Sequence, residues 1–443
     1  MMPRNRHMNF GCILENYGSH PAAWLVSESP VDSATDANHY ISLAKLAERA
    51  KLDFVFVADT PCLPEGDIEA LSRSPRYING LEPLTLLSVL SAHTSHIGLV
   101  GTLSSSYNEP YNVARAVASL DHLSGGRAAW NVVTTGSLNA PANFGRDANL
   151  DHAIRYERAR EFVQVVRGLW DTWSDGAIIR NVKESRYFDP QKLRPLNHQG
   201  KHFSVAGPLN IARPPQGHPV VVQAGGSDPG KELAAETADM VFMVESSLDG
   251  ARQYYSDLKG RMSKFGRRPD ELRLMQGITI VVGNTLAEAD AKTAALSSRI
   301  HEDVGKTVIG TAIGVDLSGM DFDATIPADL IPVESNRGQT YHRVISRMAI
   351  EEKLTIRQMS ARFAESRIGN TLKGTPETIV DTLEAWHLAE AVDGFMLRAM
   401  AFPDSLRDFC ELVVPELQRR GLMRQDYAGK TLRNHLGLAR PDN

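Results

Sequence analysis

The stretch Asp53-Phe-Val-Phe-Val-Ala58, ended by the carboxylate of Asp59, decides the fold. A strand with one wet face alternates apolar and polar residues, whereas an uninterrupted apolar run marks a strand covered on both faces, as in parallel sheets. It lies between two helix-period segments, Asn38 to Lys51 before it and Leu84 to Thr94 after it. The pattern recurs at Met8 to Leu14, Ile97 to Gly101, Ala128 to Thr134, Pro219 to Gly225, Met240 to Val244, Leu272 to Val282 and Gly394 to Met400. Eight such runs, separated by helical stretches, predict an α/β protein built as a closed (β/α)8 TIM barrel and not an open sheet.

In a barrel of this kind the chemistry sits where the strands end at their carboxyl side, because the loops there converge on one mouth. Asp59, Thr102, Asn131 and Ser227 all fall where an apolar run stops or is interrupted, so all four are expected to face that mouth. Asp59 is the only charged residue from Phe54 to Thr60 and needs a donor, which a flavin or purine ring N–H could supply. Asn131, a polar residue inside a central strand, either bonds a ligand or satisfies a neighbouring loop.

The segment from Val222 to Ala235 reads as a strand, a turn containing Gly225, Gly226 and Ser227, and a helix start. Backbone amides and the helix dipole make such a turn an anion site, to which the Ser227 hydroxyl adds a donor. The spacing of Gly225, Gly230 and Lys231 approaches a P-loop, but Glu232 stands where the magnesium-binding Ser or Thr would be and Pro229 removes a cradling amide. A mononucleotide phosphate is therefore favoured over a triphosphate. His152 and Tyr156, four apart at the start of the long helix that follows the fourth strand, share a face and could complete that site. Asp59 and Glu245 could alternatively form the carboxylate pair of a barrel glycosidase, although that reading leaves the phosphate cradle unexplained. His198 and His202 lack an acidic third ligand, so no metal is expected.

The chain has 443 residues, roughly 190 more than the about 250 of a usual barrel, so insertions into a single domain spanning residues 1–443 are expected. They are placed at about 174–218 and 301–374, with a C-terminal extension from about 421; the second is the expected lid over the substrate pocket. The polar tail after Arg424 reads as a loose terminus, with draping over a neighbouring subunit as the alternative. A net charge of −5 without a basic block argues against nucleic acid. Cys12, Cys62 and Cys410 lie far apart without a CxxC spacing, which predicts reduced thiols. No apolar run is long enough for a membrane span and no signal-peptide core opens the chain, so a cytoplasmic protein is expected.

Several longer motifs carry a family likeness: Glu82 to Leu90, Ser106 to Arg115, Ser119 to Arg127, Ala129 to Thr134, Asn143-Phe-Gly145, Gly168 to Trp173, Gln223-Ala-Gly225 and Glu411 to Gly421. Through them the chain resembles the flavin-dependent monooxygenases of the bacterial luciferase-like superfamily, nearest to the branch of nitrilotriacetate, EDTA, dibenzothiophene-sulfone and long-chain alkane monooxygenases. The resemblance implies a two-component enzyme that takes reduced FMN (FMNH2) from a separate NAD(P)H:flavin reductase and uses O2 to oxygenate a small organic substrate. A flavin C4a-hydroperoxide would form in a closed, dry pocket. It further implies that Asp59, Thr102 and Asn131 contact the flavin ring or ribityl region and that His152, Tyr156, Gly225 and Ser227 surround the phosphate end. His20 and Trp24 match the family's His and Trp near the ring, His20 as a candidate acid/base. A homodimer or homotetramer is expected. Leu25, Gly226 and Gly136 depart from residues common in the family, and Gly136 makes alkane hydroxylation a poor fit. Arg337, Arg343 and Arg347 near the lid are candidates for a polyanionic substrate. A deazaflavin-dependent oxidoreductase of the same fold and a non-catalytic flavin-binding protein are the alternatives.

Overall fold

The computed structural model describes residues 7–26, 30–332, 339–366 and 370–443. Eight parallel strands close on themselves in chain order: β1 Asn9–Ile13, β2 Phe54–Val57, β3 Gly98–Ser104, β4 Ala128–Val133, β5 Val220–Gln223, β6 Met240–Met243, β7 Arg273–Val282 and β8 Gly394–Arg398. Closure runs through β8 against β1, where Asn9 to Ile13 register with Gly394 to Arg398, and through β6 and β8 on either side of β7. All eight expected strands are present. A further strand, Asn370–Gly374, pairs with the outer half of β7, from Ile278 to Val282, which accounts for the ten-residue length of β7.

Alternation along each strand splits the core into two layers. Phe54 and Phe56 point inward with Ile13, Val100, Met240 and Met396, while Val55 and Val57 join the shell under the surrounding helices. Bulky and small residues interlock inside: a Cβ on Gly11 would lie 2.1 Å from the Phe54 ring, so β1 can pass β2 only with glycine there. The helices start where local chemistry says they should. Glu82 accepts from the amides of Leu84 and Thr85 ahead of a first-turn Pro83, and Thr375 caps the helix Pro376–Leu388.

The two insertions differ in kind. Residues 174–218 form two small hairpins, Ile178–Asn181 with Arg186–Phe188 and His198–Gln199 with Ser204–Val205; the second packs beside the helix His152–Trp170, with His198 Nε2 3.0 Å from Glu161. The described residues of the 301–374 insertion include helices Glu302–Ile313, Gln339–Ile350 and Ile356–Ser366 and a separate apolar cluster with Ile309, Phe322, Ile345 and Phe363.

The C-terminal tail is neither loose nor confined to the outside of the molecule. Leu432, Leu436 and Leu438 enter the inward-facing cluster and close the barrel floor. Arg433 anchors them: its guanidinium donates to Asp239 at 2.7 and 3.3 Å and to the His218 carbonyl at 2.7 Å. Burial alone would raise the Asp239 carboxyl, but Arg433 and Arg167 hold it below the ordinary value.

Candidate active site

Thr102 and Asn131 stand opposite each other in the register of β3 and β4, and both are buried. The Asn131 side-chain amide donates to Thr102 Oγ1 at 3.0 Å, which leaves Asn131 Oδ1 buried without a hydrogen-bond partner. A buried acceptor left unpaired costs about 1–3 kcal/mol. The two residues share a central cavity with inward-facing Phe56 and Met396 and with Asp59 at the end of β2. Asp59 is solvent-exposed at this rim; desolvation by its surroundings still raises its carboxyl above the ordinary value, opposed by the Thr60 amide and reinforced by Glu82.

A second cavity also reaches Asp59 and extends to Tyr156, Gly225 and Gly230. Ser227, itself outside the lining of this cavity, caps the adjoining helix Asp228–Thr237, its Oγ accepting from the Gly230 amide at 3.4 Å. Gly225 and Gly230 pack backbone against backbone: a Cβ on Gly225 would lie 3.0 Å from Gly230 Cα. A Cβ on Gly230 would lie 3.2 Å from both Ser227 Oγ and Tyr156 Oη, so two hydroxyls converge over a helix N-terminus that a side chain would fill. His152 sets its ring against that of Tyr156, centroids 4.8 Å apart and planes tilted by 52°, but is exposed and does not itself line this cavity.

The third cavity lies under the helical insertion, with Val304 and Val308 from one helix and Ser360 and Phe363 from another facing Asp59 and His20. His20 is buried; its Nδ1 accepts from the Ala22 amide at 3.2 Å and its Nε2 lies 3.5 Å from Ser297 Oγ. Burial lowers its pKa to about 4, so near neutrality it is an uncharged imidazole. Trp24 is not brought here. It sits in the short turn Ala23–Leu25, 41% exposed, outside the lining of all three cavities, because the turn closes on its own backbone and leaves the indole in solvent.

The glycosidase pair does not assemble: Glu245 lines none of the cavities reached by Asp59 and instead turns toward the next helix start, its Oε2 3.0 Å from the Cβ position of Gly250. Of the arginines expected near the lid, Arg337 lies outside the described residues. Arg343 is exposed, and Arg347 pairs with Glu352 at 3.5 Å. The arginines that line the central cavity are Arg76 and Arg398. Arg398 closes the apolar run of β8, the same strand-end signal that marked Asp59, whereas Arg76 lies in a loop with no periodicity to announce it.

The orphaned acceptor of Asn131 and the hydroxyl-lined cradle, in cavities that both reach Asp59, suit a ligand with a polar ring edge and a phosphorylated tail. The chain matches the model of the luciferase-like monooxygenase family over residues 18–393. It is 44% identical to nitrilotriacetate monooxygenase component A of Aminobacter aminovorans, covering 100% of this chain and 99% of the relative. With N-acetyl-S-(2-succino)cysteine monooxygenase of Bacillus subtilis it shares 40% identity, again over 100% and 99%. Its structure matches a riboflavin lyase solved with modified FMN and riboflavin, with a TM-score of 0.83 and 29% identity over 99% of this chain and 97% of that one. The chain belongs to the luciferase-like monooxygenase family and is an oxidoreductase.

Proposed function

We propose that this protein is the oxygenating component of a two-component monooxygenase, receiving reduced FMN from a separate NAD(P)H:flavin reductase and using O2 to oxygenate a small organic substrate, beside nitrogen or sulfur. The observation that carries the reading is the sharing of Asp59 by two cavities, one with the unpaired Asn131 acceptor and one with the Tyr156 hydroxyl and Gly230, the latter beside the Ser227 hydroxyl that caps the same helix start. The name "component A" borne by the 44% identical relative supports a partner component.

Reduced FMN would supply the electrons that activate O2. The chain's own residues do the rest. Ser227, Tyr156 and the amides around Gly230 would hold the phosphate, and Asn131 and Thr102 would meet the polar edge of the ring. The apolar helix faces bearing Val304, Val308 and Phe363 exclude water from the side where substrate enters. His20, uncharged near neutrality with Nδ1 accepting from the Ala22 amide, carries its proton on Nε2, so it can donate a hydrogen bond there and cannot serve as a standing cation. Among the described residues, no helix is long and apolar enough to cross a membrane.

The test is anaerobic titration with reduced and with oxidised FMN, followed by an O2-consumption assay coupled to a generic flavin reductase. Reduced FMN should bind much more tightly, and a flavin supply should drive O2 uptake. Equal affinity for both forms and no coupled uptake would leave a flavin-binding protein without oxygenase activity; hydride transfer to a deazaflavin without O2 would favour the alternative oxidoreductase.

A further inference from the structure

The central and the lid-side cavities share four charged or polar residues near their junction: Glu15, Asp59, Arg76 and Tyr77. Arg398 is already counter-charged, its guanidinium 4.0 Å from Glu15. Arg76 is not. Among the described residues it forms no ion pair within 4 Å, and its Nε is sealed from solvent without an acceptor. Its guanidinium carbon lies 4.8 Å from the centroid of the Tyr77 ring, within cation–π reach.

The loop is shaped to keep it there. Tyr77 and Asn79 both adopt left-handed backbone, with φ of 52° and 56°. Asn16, just beyond β1, donates to the Pro75 and Ile78 carbonyls at 3.4 and 3.1 Å and is itself held by the Tyr40 hydroxyl at 3.0 Å. Strained backbone pinned by side chains from another element is a costly way to place a surface arginine and a reasonable way to place a binding one. Arg76 does not line the cavity of the phosphate cradle, so it is not spent on the tail of the nucleotide proposed above.

We infer that Arg76 is the specificity-determining anchor for an anionic group of the substrate, which makes the substrate an organic acid whose carboxylate meets Arg76 while its less polar part lies against Val308 and Phe363. This inference rests on the proposed function for the identity of the site, but its test does not need turnover. An Arg–carboxylate pair in a partly dry pocket is bidentate and charge-assisted, so losing it costs about tenfold or more in affinity.

The protein is titrated by calorimetry with hexanoate, succinate and nitrilotriacetate, each beside its uncharged amide, with and without bound FMN. The wild type should bind at least one acid and none of the amides. Arg76→Gln should lose that binding at least tenfold, Arg76→Lys should keep part of it, and both should retain FMN affinity and thermal midpoint. Amides binding as well as acids, failure of every acid, or acid binding untouched in Arg76→Gln would each overturn the inference. So would a loss of FMN affinity in place of acid affinity, since Arg76 would then serve the cofactor. A protein that binds acids through Arg76 but fails the FMN titration would overturn only the flavin reading.

Discussion

Replacing Gly230 by Ala tests the phosphate cradle most directly. The new methyl would lie 3.1 Å from Gly225 Cα and 3.2 Å from both Ser227 Oγ and Tyr156 Oη, so neighbours must yield by a few tenths of an ångström. The backbone itself accepts Ala, because Gly230 is helical and not left-handed. Helix propensity gains up to about 1 kcal/mol from the change, which offsets crowding and keeps the fold close to its parent stability. A hydrogen bond to a charged group contributes about 1.5–3 kcal/mol, so displacing either hydroxyl from a phosphate costs roughly ten- to a hundredfold in affinity at about 1.4 kcal/mol per tenfold. The assay is anaerobic ultrafiltration with reduced FMN and, in parallel, with reduced riboflavin, which lacks the phosphate. FMN binding should fall and riboflavin binding should not. Equal losses for both ligands, or no loss for either, would refute the placement of the phosphate at Gly230.

Four further outcomes follow from the same geometry. Tyr156→Phe should weaken FMN by about 1.5–3 kcal/mol and leave riboflavin unchanged, read in the same assay. Asn131→Leu removes an unpaired acceptor and one hydrogen bond together, so unfolding free energy should change by no more than about 1 kcal/mol while affinity for both flavins drops about tenfold; a large loss of stability in urea would make Asn131 a structural residue. His20 has its pKa depressed from 6.5 to about 4, so the unfolded chain takes up its proton first, and stability is lost as pH falls through that window, by roughly 3 kcal/mol at its lower end. His20→Gln should flatten that limb of the pH–Tm curve relative to the parent, with the shared contribution of His435, also near 4, cancelling in the comparison. Asp239→Asn breaks the buried pair with Arg433 and should cost about 3–5 kcal/mol in denaturant unfolding without changing flavin specificity.

The barrel was legible because its strands are buried on both faces, which turns each into an apolar run with a polar residue at its end. Asp59 is visible by that rule and Arg398 obeys it equally well, while Thr102 and Asn131 stand out as polar residues inside otherwise apolar strands. Arg76 was not legible, since its position depends on left-handed residues and on hydrogen bonds from Asn16, sixty residues away in sequence. Trp24 illustrates the converse: proximity in sequence to His20 did not carry it into the same cavity. The helices of the second insertion were hidden for a related reason, because their apolar residues satisfy one another in a cluster of their own. The tail read as polar because only Leu432, Leu436 and Leu438 turn inward, too sparse a pattern to stand out among Arg, Asn and Gly.

That tail has a bearing on how the molecule comes into being. Leu432, Leu436 and Leu438 are encoded after all eight strands, so during synthesis the ring of inner side chains stays unstoppered until the ribosome has nearly finished. A chain interrupted before Leu432 would present a greasy orifice to its surroundings. Nascent protein of that kind invites chaperones or clumping before it ever meets a flavin.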